Sequence, residues 1–272
     1  MTTNAPNPSD HKTDLLSIAA HDLKTPLTAA MKYVELLSII GTLNDQQQDF
    51  ANKAQLVLKR MENLIHDILE LSELDSALPL KMKHTDLRTL VQAELDLLQG
   101  MISSKQINVH VAIQDGAHVV VGDTDRLQQV FNNLLSNAIK YNKLQGDIWI
   151  SMRHQADVVR IDIRDSGMGI HADDLPHIFE RFYRPRYAQR ERGSSGLGLS
   201  ITQMIVQMHG GRIWAISTLN EGSTFSFLLP SARRGGVTHE PRQYSLESSD
   251  GLDDRLQDSQ EQGTLDSNER EV

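Results

Sequence analysis

The sequence contains no cysteine, which rules out a disulfide framework, a thiolate metal site and a cysteine nucleophile together. That absence fits a reducing compartment. Nor is there any stretch approaching the roughly 20 apolar residues that a membrane-spanning helix needs, and Met1 to Asp10 is polar and rich in Pro and Asn rather than signal-like. A soluble, cytoplasmic protein is expected. Basic residues are outnumbered, 27 Lys+Arg against 36 Asp+Glu, for a formal net charge of −9. A long basic surface for a phosphate backbone is therefore unavailable, and nucleic acid is not an expected partner. The eleven histidines show no tight metal-ligand spacing. What remains is 272 residues of ordinary soluble composition, 39% hydrophobic and 23% charged, enough for one or two domains with real cores.

The first periodic stretch has apolar residues at Leu16, Ala20, Leu23, Leu27, Ala30, Val34 and Leu37. Steps alternating 4 and 3 describe a coiled-coil seam, so one face of this helix is for packing. On that register His21 lies beside the seam and points outward. Asp22 beside it can hold one ring nitrogen as donor and leave the other as a nucleophile, while a solvated Asp and a surface His remain the plainer alternative. Pro26, one turn on, is expected to bend the helix locally. Gly41 ends it, the segment Gly41 to Asp45 carries the next N-cap, and a second heptad helix follows with its seam at Phe50, Ala54, Val57, Met61, Leu64, Ile68 and Leu71. A two-helix hairpin cannot bury both seams alone, so a homodimer with a four-helix core is expected, packing onto the rest of the chain being the alternative.

A linker is expected near Ser72 to Pro79, and element types then alternate. Helices are predicted near 85–104, 124–142 and 196–209, and strands near 78–84, 107–113, 118–121, 148–154, 158–165, 212–218 and 223–229. Hairpins are expected at Gly146-Asp147, Ala156-Asp157 and Asn220 to Gly222. The fold class is α+β, a helical hairpin followed by a sandwich. After Pro230 the chain carries ten acidic and five arginine residues and no periodicity, a composition expected to be disordered. The expected divisions are a lead over 1–9, a hairpin domain over 10–76, a second domain over 77–230 and an acidic tail over 231–272.

Four stretches of the second domain suit a nucleotide. Asn133, Asn137 and Lys140 share the polar face of a helix, with Tyr141 next; amide oxygens can hold Mg2+ and the lysine can meet phosphate, though a polar outer face alone would look similar. Asp165, closing a strand, can accept from an exocyclic amine, and Gly167 and Gly169 allow close approach of a planar ligand. Gly193 to Ser200 leads into a helix whose free N–H groups suit phosphate, without the Walker or dinucleotide pattern. Between them lies a long segment with Phe179, Phe182, Tyr183 and five arginines, Arg184 among them, readable as a lid or as a plain solvated loop.

Taken in order from about Asp10 to Pro230, these boxes resemble the catalytic core of the sensor histidine kinases of two-component signalling. The segment His21-Asp22-Leu23-Lys24-Thr25-Pro26-Leu27 looks like the phosphoacceptor box. The resemblance implies that His21 accepts the γ-phosphoryl group of ATP, that Asp22 is its base or orienter, and that Thr25 positions water in a reverse, phosphatase reaction. It implies Mg2+ on Asn137, phosphates at Asn133 and Lys140, the nucleotide against Tyr141 and the adenine amine on Asp165. Ile178 to Phe182 is similar to the phenylalanine box of an ATP lid, Gly196-Leu197-Gly198-Leu199 to the second glycine box, and Gly222-Ser223-Thr224-Phe225 to the entry of the last strand. Ser194 departs from the family, which often has glycine there. The implied fold is a dimeric hairpin domain followed by the ATP-binding sandwich shared with gyrase and heat-shock chaperone ATPases. The implied partner is the receiver domain of a response regulator. Only twenty residues precede His21, so the signal is expected from a separate sensor protein or from a longer chain. A chaperone-type ATPase would need no histidine in a heptad helix, and a pseudokinase scaffold would not need intact glycine boxes.

Overall fold

The computed structural model describes residues 8–75, 79–116, 118–185 and 195–232, with side chains from Leu23 onward except Ser38. The hairpin is α1 (Pro8–Ile40) and α2 (Asp45–Asp75). Asn44 starts α2 by a reciprocal cap: its Oδ1 accepts from the Gln47 N–H at 2.8 Å, and its own N–H donates to the Gln47 side chain at 3.0 Å. Inside the hairpin Leu27 packs on Ile65, with Met31, Leu58 and Leu69 around them.

The seams read from spacing only partly make this internal contact: Leu27 and Ile68 belong to it, and the earlier seam positions of α2 do not. Phe50, Val57 and Met61 stand 60%, 51% and 47% exposed, while Leu58 and Ile65, seven residues apart on the neighbouring row, pack with Leu27 of α1 together with Ile68 of the seam. The expected linker also shifts. α2 continues through Ser72 to Asp75, and Leu71 and Leu74 enter the core of the second domain, so only residues 76–78 of that stretch lie outside the description.

The second domain runs β1 (Met82–Asp86), α3 (Leu87–Lys105), β2 (Asn108–Ile113), β3 (Val119–Asp123), α4 (Thr124–Lys140), β4 (Asp147–Gln155), β5 (Val158–Asp165), α5 (Gly198–Met208), β6 (Arg212–Thr218) and β7 (Gly222–Pro230). Asp86 and Asp123 cap α3 and α4 with their carboxylates. Five strands form one sheet in the order β2-β4-β5-β7-β6, and β1 pairs separately with β3. Ala156-Asp157 and Asn220 to Gly222 turn hairpins as expected. Gly146-Asp147 does not. The strand after it, β4, runs parallel to β2, and the connection between them is a crossover through β3 and α4.

The apolar stripe of α4, Leu127, Val130, Phe131, Leu134, Leu135 and Ala138, is buried against Ile150, Ile161, Ile163 and Phe227 of the sheet. Phe131 meets Phe227 edge-on with ring centroids 5.6 Å apart. The polar side of α4, carrying Asn133, Asn137 and Lys140, is thereby left for another use. At the far end of α5, buried His209 donates from Nδ1 to the Ile205 carbonyl and accepts the Asp123 N–H at Nε2, 2.9 Å away. Burial holds its pKa below the ordinary imidazole value, in keeping with that neutral tautomer.

Candidate nucleotide site

A cavity of about 870 Å³ opens between the polar face of α4, the ends of β5 and β7, the start of α5 and one face of α2. That is the size of a small-molecule site. At its inner end Asp165 is only 5% exposed and accepts the Gly167 N–H at 2.8 Å. Burial pushes its carboxyl up to about 6, against the backbone donors of Gly167 and Ser223. A buried acceptor with capacity to spare is what an exocyclic amine requires. Gly169, at φ +66°, has the Thr218 carbonyl where a Cβ would stand, so no other residue lets this turn close.

Toward the mouth, Asn137, Lys140, Tyr141, Gly196, Gly198 and Arg184 line the space. The Lys140 ammonium lies 5.2 Å from the Tyr141 ring centroid, holding positive charge at the cavity wall. Asn133 also lines the cavity, yet much of its amide is spent on structure. Nδ2 donates to Thr202 Oγ1 at 2.7 Å, and Oδ1 lies 3.4 Å from Asn137 Nδ2 and where a Cβ on Gly198 would stand. It ties α4 to the start of α5. Asn137 keeps its Oδ1 free of hydrogen bonds among the described residues, which fits a hard-cation ligand. The first turn of α5 directs free N–H groups and a positive dipole end at this region.

Four expected site residues fall elsewhere. Phe179 packs edge-on against Phe225, ring centroids 6.5 Å apart, and Leu197 is fully buried in the core. Thr224 pairs with Arg164 in the sheet register; alternation puts Ser223 and Phe225, not Thr224, at the cavity. Gly167 shapes the turn by its bond to Asp165 without lining the space. Phe182 does line it, 58% exposed at φ +64°, and its N–H donates to the Gly196 carbonyl at 2.9 Å. The arginine-rich stretch 186–194 lies outside the described residues.

The hairpin wall was not foreseen. Arg60, Asn63, Leu64 and Asp67 of α2 face the cavity, and Asp67 accepts the Ser195 hydroxyl just before α5. Burial raises the Asp67 pKa, opposed by that hydroxyl and by His66. Their i, i+3, i+4, i+7 spacing could have marked a common face, but nothing local says that this face meets another domain. His21 lies on α1, one turn before Lys24, which is close enough to Glu62 to act on its charge. Antiparallel pairing thus sets the His21 backbone level with the α2 segment that walls the cavity. The side chains of His21 and Asp22 lie outside the description; Thr25 is exposed.

Residues 122–233 match the family model described as the histidine kinase-, DNA gyrase B- and HSP90-like ATPase, and residues 11–77 match the His Kinase A (phospho-acceptor) domain. The chain is 35% identical over 229 residues to the adaptive-response sensory kinase SasA of Synechococcus elongatus, covering 80% of this chain and 59% of that protein. It therefore spans about three fifths of that relative's length. In fold it matches full-length ShkA, solved in complex with AMPPNP, at a TM-score of 0.69 with 24% identity over 82% of this chain and 47% of that one. It also matches ThkA, solved in complex with the response regulator protein TrrA, at a TM-score of 0.58 with 24% identity over 80% of this chain and 61% of that one.

Proposed function

Because this chain belongs to the two-component sensor histidine kinases, with their phospho-acceptor and ATPase domains in order, we propose that it is an ATP-dependent protein histidine kinase. It phosphorylates itself on His21 and passes the group to an aspartate of a response-regulator receiver domain. The observation that carries this reading is a single cavity with a buried amine acceptor, Asp165, at one end, Asn137, Lys140 and the start of α5 at the other, and the His21 level of the hairpin beside it.

Asp165 takes the adenine amine, and Gly169 lets the ring lie close. Lys140, Arg184 and the first-turn N–H groups of α5 neutralise the phosphates; Tyr141 packs against the nucleotide. Asn137 would hold Mg2+, which supplies charge neutralisation at the phosphates when bound. A free ring nitrogen of His21 attacks the γ-phosphorus in line: the N–P bond forms, the bond to the bridging β–γ oxygen breaks, and ADP leaves with that electron pair. Asp22 takes the imidazole proton. Positioning and electrostatics carry most of such a transfer. Thr25, exposed one turn along, would hold water for a reverse, phosphatase reaction.

Tyr33, Leu37, Phe50, Val57 and Met61, all exposed on the single hairpin, support a homodimer with a four-helix core. A response regulator would dock on the same helices, in keeping with the complex of the fold neighbour ThkA. Labelling with γ-labelled ATP tests the reading: wild type acquires acid-labile label and His21→Gln none. Asn137→Ala should lose Mg-ATP affinity by at least tenfold. Label surviving in His21→Gln, or undiminished binding by Asn137→Ala, sinks the respective assignment. ATP hydrolysis without any phosphoprotein would favour an ATPase of the chaperone type.

A further inference from the structure

A second, smaller cavity of about 480 Å³ lies where the hairpin meets the sandwich, between α2, α3, α4 and the start of α5. Its charge is one-sided. Asp67, Glu70, Glu94 and Asp125 line it, and no lysine or arginine does; Arg126 reaches Glu70 without lining the space. Glu94, only 1% exposed, accepts from the neutral amides of Gln128 and Asn132 at 2.8 and 2.9 Å, and no cation pairs with it among the described residues. A carboxylate buried without a counter-charge costs free energy that a cation in the same cavity would recover.

The α2 wall decides which cation. His66, Asp67 and Glu70 offer one ligand atom each, and these atoms all lie within 4.8 Å of one another. Helical spacing brings them together, since His66 and Glu70 are four residues apart on one face and Asp67 stands beside them. The carboxylates are only partly used. Asp67 accepts the Ser195 hydroxyl at Oδ2, and Glu70 accepts from Arg126 at Oε1 and from Gln129, whereas an ionised carboxylate has about four lone-pair directions to give. The His66 ring is exposed and makes no hydrogen bond among the described residues. One imidazole nitrogen with two carboxylate oxygens suits zinc, whereas Mg2+ and Ca2+ favour shells of oxygen alone. We propose that His66, Asp67 and Glu70 form a zinc-type transition-metal site at the joint between hairpin and sandwich, with water as the fourth ligand and Glu94 adding negative charge across the cavity. It is separate from the Mg2+ position on Asn137, whose donor is an amide oxygen. The histidines by themselves show no metal spacing because only one of them takes part.

The test is a calorimetric titration of zinc chloride into the full chain with Mg2+ in excess. Wild type should take up one equivalent, and His66→Ala and Glu70→Gln should each lose roughly tenfold or more in affinity. His66 is exposed, so its alanine variant is expected to fold, and Glu70→Gln keeps the side-chain volume. In thermal melts zinc should raise the wild-type midpoint and leave that of His66→Ala unmoved. No uptake by wild type, equal affinity in all three chains, or a loss confined to His66→Ala overturns the site, the last outcome marking a lone surface histidine as the ligand.

Discussion

Asp165 shows how much one side chain can hold against the balance of the fold. Its carboxyl is buried and raised to about 6, so the folded protein binds this proton more tightly than the unfolded chain, whose ordinary value is 3.8. The resulting stability is fully present below about pH 4 and is lost as pH rises through about 6. Asp165→Asn keeps an acceptor for the Gly167 and Ser223 N–H groups without the buried charge. Near pH 7.5 it should therefore melt at or above the wild-type temperature, by up to about 2 kcal/mol in stability, and lose that advantage at pH 4. It should also lose nucleotide affinity at least tenfold, since its NH2 group meets the adenine amine donor to donor. Thermal melts at the two pH values with a binding titration decide it; a marked destabilisation at pH 7.5 would contradict the account.

At the scale of the element, α5 depends on both of its ends. Its start is pressed onto Asn133, and its last turn is held by His209, which spans from the Ile205 carbonyl to the Asp123 N–H. Because burial depresses the His209 pKa, its contribution is present above the ordinary 6.5 and is lost as pH falls through the depressed folded value. His209→Leu leaves the Asp123 N–H without its acceptor and should cost about 1–3 kcal/mol in chemical denaturation at pH 7.5. That cost should shrink at pH 5, where the wild type has itself been weakened. Equal cost at both pH values would mean that packing, and not the neutral imidazole, is what counts. Helices such as α4 were legible because their apolar stripe, caps and polar face recur every 3.6 residues. The internal row of α2 was only partly legible, because Leu58 and Ile65 lie next to an equally regular stripe, and spacing alone does not say which stripe meets α1.

For the whole molecule the question is what holds the hairpin to the sandwich. Leu71 and Leu74 enter the second core, Arg126 bridges Glu70 at 2.6 Å and Glu73 at 3.0 Å, and Arg181 grips both oxygens of Asp75. These contacts are unequal. Glu70 is 6% exposed, with a pKa raised by burial despite Arg126, whereas the Arg181 pair is partly open to water. Arg126→Ala leaves Glu70 buried without its guanidinium partner and should cost about 3 kcal/mol; Arg181→Ala should cost less than about 1 kcal/mol. Scanning calorimetry of Arg126→Ala should resolve separate hairpin and sandwich transitions where the wild type shows closer coupling. A thermogram identical to wild type would show that the apolar contacts suffice alone.

The sequence by itself determined the order of the elements, the two-part organisation and most of the cavity's lining. Those features are written locally, in the period of apolar residues, in capping carboxylates and in glycines that only a tight turn requires. Tertiary structure alone decided that Phe179 and Leu197 serve the core, that Thr224 turns to the other side of the sheet, and that Arg60 and Asp67 of the hairpin wall the nucleotide site. Each of these depends on which surface a side chain meets across a long stretch of chain, and a contact of that kind leaves no local period to read.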